Sequence, residues 1–342
     1  MAVRAFITGL SGTAITPEER AFLRGAAPFG LILFKRNIVD PPQLRALIDD
    51  FKAICGAGAP VLIDQEGGRV QRMGPPHWPA YPSGAVYAGL YRIDPALGLR
   101  AAWLGARLIA HDLADIGITV DCLPLADVPV AGADRVIGDR AYGDTPQQVA
   151  AVATAVAEGL KAGGVLPVVK HIPGHGRATA DSHLSLPVVT ADRRTLEASD
   201  FAAFVPLKDA PFGMTAHVVF KDIDPGLPAT TSAIMIGQVI RGFIGFTGAL
   251  MSDDLSMGAL AGPIAERVRR CLAAGCDLVL HCNGNIAEMH EVAANTPELT
   301  GAALERTARA LASRTAPQAL DVTAAWAEFK ELVSGRAGAA TG

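Results

Sequence analysis

Short apolar runs and longer amphipathic segments alternate along this chain almost from end to end. Eight runs read as strands because each is short and nearly continuous in apolar residues: Ala5–Leu10, Phe29–Phe34, Val61–Asp64, Ile118–Asp127, Val165–His171, Phe212–Val219, Gly248–Asp253 and Cys276–Cys282. Helical patterns lie between them over 17–25, 42–55, 96–116, 146–162, 194–208, 232–242 and 264–274, and two more, 286–294 and 297–313, follow the last strand. Capping residues precede proline at Thr16-Pro17, Asp40-Pro41 and Thr145-Pro146, and Gly163, Gly242 and Gly275 stand at helix exits.

Strand then helix, repeated eight times with strands apolar on both faces, predicts an α/β fold, a parallel (β/α)8 barrel of the TIM type. A doubly wound open sheet is the weaker alternative, since no Gly-rich dinucleotide fingerprint follows an early strand. No linker divides the chain, so one domain is expected over 1–333, with a disordered tail over 334–342. Polar residues gather where the strands end: Lys35-Arg36-Asn37, Asp64, Asp127, Lys170-His171, His217, Asp253-Asp254 and His281. In a barrel those ends meet at one mouth, the place where this fold builds its active site.

Composition narrows the ligand. Half of the 342 residues are hydrophobic, 19% are charged and the formal charge is −4, so a large core is expected and a nucleic-acid partner is not. The five cysteines are odd in number and lack CxxC spacing, which fits reduced thiols. No apolar run reaches the roughly 20 residues that span a bilayer, and the N-terminal run is read as the first strand instead of an export signal. The expectation is a cytoplasmic monomer with no membrane partner, acting on a small molecule.

The densest chemistry lies in Lys170–His183, KHIPGHGRATADSH, a glycine-broken loop leaving the fifth strand. Asp181 and His183 are two apart, so in a turn the carboxylate can orient and charge the imidazole. Small residues around them would let the loop move. Asp253 ends the seventh strand, and strand alternation favours it over Asp254 as the group facing a ligand, as a nucleophile, a proton acceptor or a metal ligand. Asp64, Arg69 and Arg72 belong to a strand end running into a glycine turn, with Arg140 a weaker candidate of the same kind. Lys170 and His171 abut a buried strand, where each requires a ligand or a carboxylate partner. His217 serves equally well as a hydrogen-bonded core histidine.

Five segments together resemble glycoside hydrolase family 3, in particular its single-domain bacterial β-N-acetylglucosaminidases of peptidoglycan recycling. They are GLILFKRN at Gly30–Asn37, IDQEGGRVQR at Ile63–Arg72, IGDRAYGDTP at Ile137–Pro146, KHIPGHGRATADSH at Lys170–His183 and SDDLSM at Ser252–Met257. The resemblance implies a (β/α)8 barrel, no metal or other cofactor, and retention of configuration. It implies Asp253 as nucleophile, His183 as general acid/base, Asp181 as the carboxylate orienting it, and Asp64, Arg72, Arg140, Lys170 and His171 as the grip on a terminal N-acetylglucosamine. The implied substrates are N-acetylglucosaminides, including muropeptides. Two rival readings stand beside it: a metal-dependent barrel hydrolase using His171, His175, His183, Asp181 and Asp253 as ligands, and a non-catalytic amino-sugar-binding protein.

Overall fold

The computed structural model describes residues 2–178, 180–182 and 185–334. Eight parallel strands close on themselves in chain order: β1 (Arg4–Thr8), β2 (Pro28–Leu33), β3 (Val61–Ile63), β4 (Val120–Asp121), β5 (Leu166–Ile172), β6 (Phe212–Thr215), β7 (Ala249–Asp254) and β8 (Leu278–His281). The last pairs with the first, Phe6 opposite Val279. Every expected strand has its counterpart, and the closed barrel rules out the open sheet. The fourth strand is far shorter than Ile118–Asp127 because Pro124 lacks the N–H a ladder needs. The rest of that run still follows β5, with Ala126 N donating to Lys170 O at 2.7 Å.

Alternation along the strands builds two cores. Ala5, Ile7, Ile32, Leu62, Val120, Val168, Met214, Met251 and Leu280 fill the barrel interior. Their neighbours Phe6, Leu31, Leu33, Val61, Ile63, Val169, Leu250 and Val279 meet the helices outside. The same parity continues to the strand ends. Asp253 follows Ala249 and Met251 on the inward face of β7, and Lys170 follows Leu166 and Val168 on that of β5.

The helices confirm most of the periodic segments, and their caps are made as the sequence indicates: Thr16 and Glu19 form a reciprocal capping box, and Asp40 and Thr145 accept from Gln43 N and Gln148 N. Three expectations change. The segment 194–208 breaks into Arg193–Ala198 and a tighter turn, Phe201–Leu207, around Pro206. The segment 232–242 becomes a π-helix over Met235–Phe243. Helices Gly84–Ile93 and Val322–Ser334 also form where none was expected. The second of these is held by aromatic packing, with Trp326 5.5 Å from Tyr81 and Phe329 6.5 Å from Tyr87. Ser334 is therefore helical, and the rest of the expected tail, 335–342, lies outside the described residues. Among the described residues no helix is long and apolar enough to cross a membrane.

Candidate active site

After β3 the chain turns back on itself as a hairpin, Gln65–Gly67 against Val70–Gln71. Gly67 and Gly68 take φ of 92° and 57°, and a Cβ on Gly67 would sit 2.3 Å from the Pro82 carbonyl, so the paired glycines are what this reversal requires. The buried Gln65 amide staples the hairpin, donating to Met73 O at 2.7 Å and accepting from Arg72 N and Met73 N at 3.0 Å each. The turn thereby returns Arg72 over Asp64.

A cavity of about 470 Å³ opens at this end of the barrel. Asp64, Arg72, Arg140, Lys170, His171, Asp181 and Asp253 all line it, so seven of the eight residues implicated by the sequence share one space. The eighth, His183, lies outside the described residues.

One wall is a buried charge cluster. Lys170 Nζ lies 2.8 Å from Asp64 Oδ1 and 2.7 Å from Glu66 Oε1. Arg72 Nη2 donates to Asp64 Oδ2 at 3.0 Å, and Arg140 grips Glu66 with two bonds of 2.8 Å. Burial pushes both carboxyls upward, but Lys170 with Arg72 for Asp64, and Lys170 with Arg140 for Glu66, outweigh it and hold both below the usual carboxylate value. Burial likewise disfavours charged Lys170 and Arg140, and the two carboxylates reverse that and push both upward. All four stay ionised.

Glu66 is the member that sequence reasoning passed over. The signal was present: it sits two residues beyond Asp64 in the same segment, a spacing that in extended chain returns to the same face.

His171 is oriented from behind. Its Nδ1 is 2.8 Å from Asp127 Oδ2, while Asp127 Oδ1 accepts from His171 N at 3.3 Å and His175 N at 2.7 Å. Asp127 is fully buried and does not line the cavity. Burial raises its carboxyl, and His171 outweighs that and lowers it. The partners required for Lys170 and His171 thus exist, and the peptide joining the two residues is cis.

Asp253 stands opposite, and its neighbour shows why the two are not interchangeable. Asp254 is spent on its own turn: Oδ1 accepts from Ser256 N at 3.0 Å and Cys282 N at 3.1 Å, and Oδ2 from the Ser256 hydroxyl at 2.6 Å. Asp253 takes one local bond, from Asp254 N at 2.8 Å. Burial pushes its carboxyl up, while His217, His171 and that N–H outweigh it and hold the pKa below the ordinary value. A poised carboxylate faces the cavity.

Asp181, in the loop after β5, forms another edge. His175 Nε2 is 2.9 Å from the Ser182 hydroxyl, and burial, with His171 nearby, pushes the His175 pKa down to about 4, so this imidazole is neutral. Backbone bonds tie the loop on two sides, Asp134 N to Ala178 O at 2.8 Å and Ala259 N to Ser182 O at 3.1 Å. Gly176 is needed for close approach, since a Cβ there would lie 2.0 Å from the Val128 carbonyl.

The strand-end polar residues do not all reach this space. His217 is enclosed between the Thr230 hydroxyl at 2.6 Å and the Asp254 carbonyl at 3.0 Å, the core-histidine role. His281 turns outward to Glu288 at 3.0 Å, and Asn37 donates to the carbonyls of Leu10 and Gly12. Arg36 does line the cavity, 4.7 Å above the Phe34 ring. Among the described residues no three His, Cys, Asp or Glu side chains are grouped to hold a metal ion.

Residues 7–313 match the family described as glycosyl hydrolase family 3 N terminal domain. A β-hexosaminidase of Alkalilimnicola ehrlichii is 41% identical over 287 residues, covering 83% of this chain and 82% of that protein. A β-hexosaminidase of Methylococcus capsulatus is 38% identical, covering 90% and 86%. Among solved structures, NagZ from Neisseria gonorrhoeae in complex with N-trifluoroacetyl-D-glucosamine superposes with a TM-score of 0.88 at 32% identity, over 98% of both chains.

Proposed function

This chain belongs to glycosyl hydrolase family 3 and is a glycoside hydrolase of the β-hexosaminidase class, and from that premise we propose that it is a retaining exo-β-N-acetylglucosaminidase acting on peptidoglycan fragments. In the first step His183, oriented by Asp181, gives its proton to the leaving oxygen while an Asp253 carboxylate oxygen attacks the anomeric carbon from the opposite face. The glycosidic bond breaks, the sugar is esterified to Asp253, and the leaving group departs as an alcohol. In the second step neutral His183 takes a proton from water, the hydroxyl attacks the anomeric carbon, and Asp253 is released as carboxylate. Both steps invert, so configuration is retained.

The observation that carries this reading is the placement of one ionised, inward carboxylate, Asp253, across the cavity from the paired charges of Asp64, Glu66, Lys170 and Arg140. Such a wall offers the dense donors and acceptors that a sugar's hydroxyls need. The proposal gives that grip to Asp64, Arg72, Arg140, Lys170 and His171. The N-trifluoroacetyl-D-glucosamine named for the Neisseria structure supports an amino sugar as the residue held. The proposal includes a cytoplasmic monomer that works without a metal.

Hydrolysis of p-nitrophenyl β-N-acetylglucosaminide by wild type, Asp253→Ala and His183→Ala, with and without chelator, tests it. Asp253→Ala is expected to lose at least about a thousandfold in kcat. His183→Ala loses less, because this leaving group needs little protonation. Full activity of Asp253→Ala would sink the nucleophile assignment, and loss on chelation would move the reading to a metal-dependent hydrolase.

A further inference from the structure

We propose that Glu66 is a positioning residue for this site: it fixes the Arg140 guanidinium and the Lys170 ammonium and balances their charge, so that they hold neutral sugar hydroxyls and do not capture anions. The inference rests on the gripping roles proposed above for Arg140 and Lys170.

Glu66 lines the cavity, yet its own oxygens are committed. Oε1 receives Arg140 Nη2 at 2.8 Å and Lys170 Nζ at 2.7 Å, Oε2 receives Arg140 Nε at 2.8 Å, and the side chain is 4% exposed. It therefore acts through the two cations. Of the five N–H groups on Arg140, Glu66 takes two and the Val136 carbonyl a third, at 3.1 Å, which leaves two for a ligand. Lys170 donates to Asp64 at 2.8 Å and its ammonium lies 2.7 Å from Glu66 Oε1, so both carboxylates hold it in place. The carboxylate decides where those remaining donors point, because a bidentate pair fixes the plane of the guanidinium.

Charge gives the second half. The wall holds three cations, Arg72, Arg140 and Lys170, against two carboxylates, Asp64 and Glu66. Among the described residues Glu66 is the one carboxylate paired with Arg140. Without it, three cations face Asp64 alone in a poorly solvated wall, which is the composition of an anion site. With it, the wall's surplus is a single positive charge, and neutral hydroxyl acceptors compete on better terms.

Glu66→Gln keeps the shape and removes the charge. With p-nitrophenyl β-N-acetylglucosaminide its KM is expected to rise about tenfold or more with a smaller fall in kcat. Sulfate, with little effect on wild type, becomes a competitive inhibitor of the variant and raises its melting temperature. Glu66→Asp keeps the charge but withdraws it by about one methylene, so its KM rises without sulfate inhibition. Wild-type KM and wild-type sulfate response in Glu66→Gln would overturn the proposal, and so would losses that merely track a lower melting temperature. Should Glu66→Gln not fold, an unchanged KM in Glu66→Asp is the overturning result. A wild type that turns over no aryl glycoside would end the functional reading, and the sulfate-dependent melting shift would still decide the role of Glu66.

Discussion

Removing Asp127 separates support of the site from the chemistry of the site. This carboxylate is fully buried and satisfies three donors: His171 N at 3.3 Å, His175 N at 2.7 Å and His171 Nδ1 at 2.8 Å. Asp127→Ala leaves all three without their acceptor. Each buried orphan costs about 1–3 kcal/mol, and the longest bond contributes least, so a loss of about 3–5 kcal/mol is expected. Asp127→Asn keeps a carbonyl oxygen for the two backbone N–H groups and turns an amide N–H toward His171, which can then accept at Nδ1. Its loss is expected at about 1–2 kcal/mol. Urea unfolding of the three proteins, read as midpoint shifts at constant slope, measures both. The pH dependence follows from the sign of the shift. Because the folded pKa of Asp127 is lowered, its contribution is fully present above the unfolded value of about 3.9 and is lost as pH falls through the folded one. The gap between wild type and Asp127→Asn is therefore flat near neutrality and closes below about pH 4. An alanine variant within about 1 kcal/mol of wild type would refute the reasoning, as would an asparagine variant as unstable as the alanine one.

Three further outcomes are expected. The Asp253 carboxyl has a lowered pKa, so the acid limb of kcat/KM expected from its proposed nucleophilic role should lie below about pH 4, and a limb near pH 6 in a rapid pH–rate profile would contradict it. Gly176→Ala should destabilise by about 1–3 kcal/mol and lower activity, whereas Gly12→Ala, where a Cβ meets nothing within 4 Å, should leave both melting temperature and rate unchanged. Burial holds the Asp121 carboxyl well above its usual pKa, and among the described residues its Oδ2 has no partner, so the folded state keeps a proton that the unfolded chain releases above about pH 3.9. Asp121→Asn should then be at least as stable as wild type at pH 7 by urea unfolding, and a loss above about 1 kcal/mol would show that the carboxyl is ionised.

Most of this site was legible because barrel strands impose parity. Once Met251 is inward, Asp253 is inward too, and the same holds for Lys170 after Val168. Asp254 was separable from Asp253 on that ground alone, and although it also lines the cavity, its oxygens are committed to three bonds to Ser256 and Cys282. Parity could not separate strand-end residues that enter the cavity from those that do not. His171 shares the outward parity of Val169 yet lines the cavity, while His281, outward like Val279, faces Glu288 on a helix.

What the sequence determined by itself was local: which runs are strands, where helices begin, and which residue types stand at strand ends, all consequences of side-chain periodicity and backbone capping within a few residues. The tertiary structure decided the partnerships. Lys170 meets Asp64 across 106 positions of chain, His171 meets Asp127 across 44, and Arg140 meets Glu66 across 74. Those distances in sequence carry no periodic signal. The pairs exist because barrel closure brings the ends of β3, β4 and β5 together in a dry wall, where each charge is stable only with its counter-charge in contact.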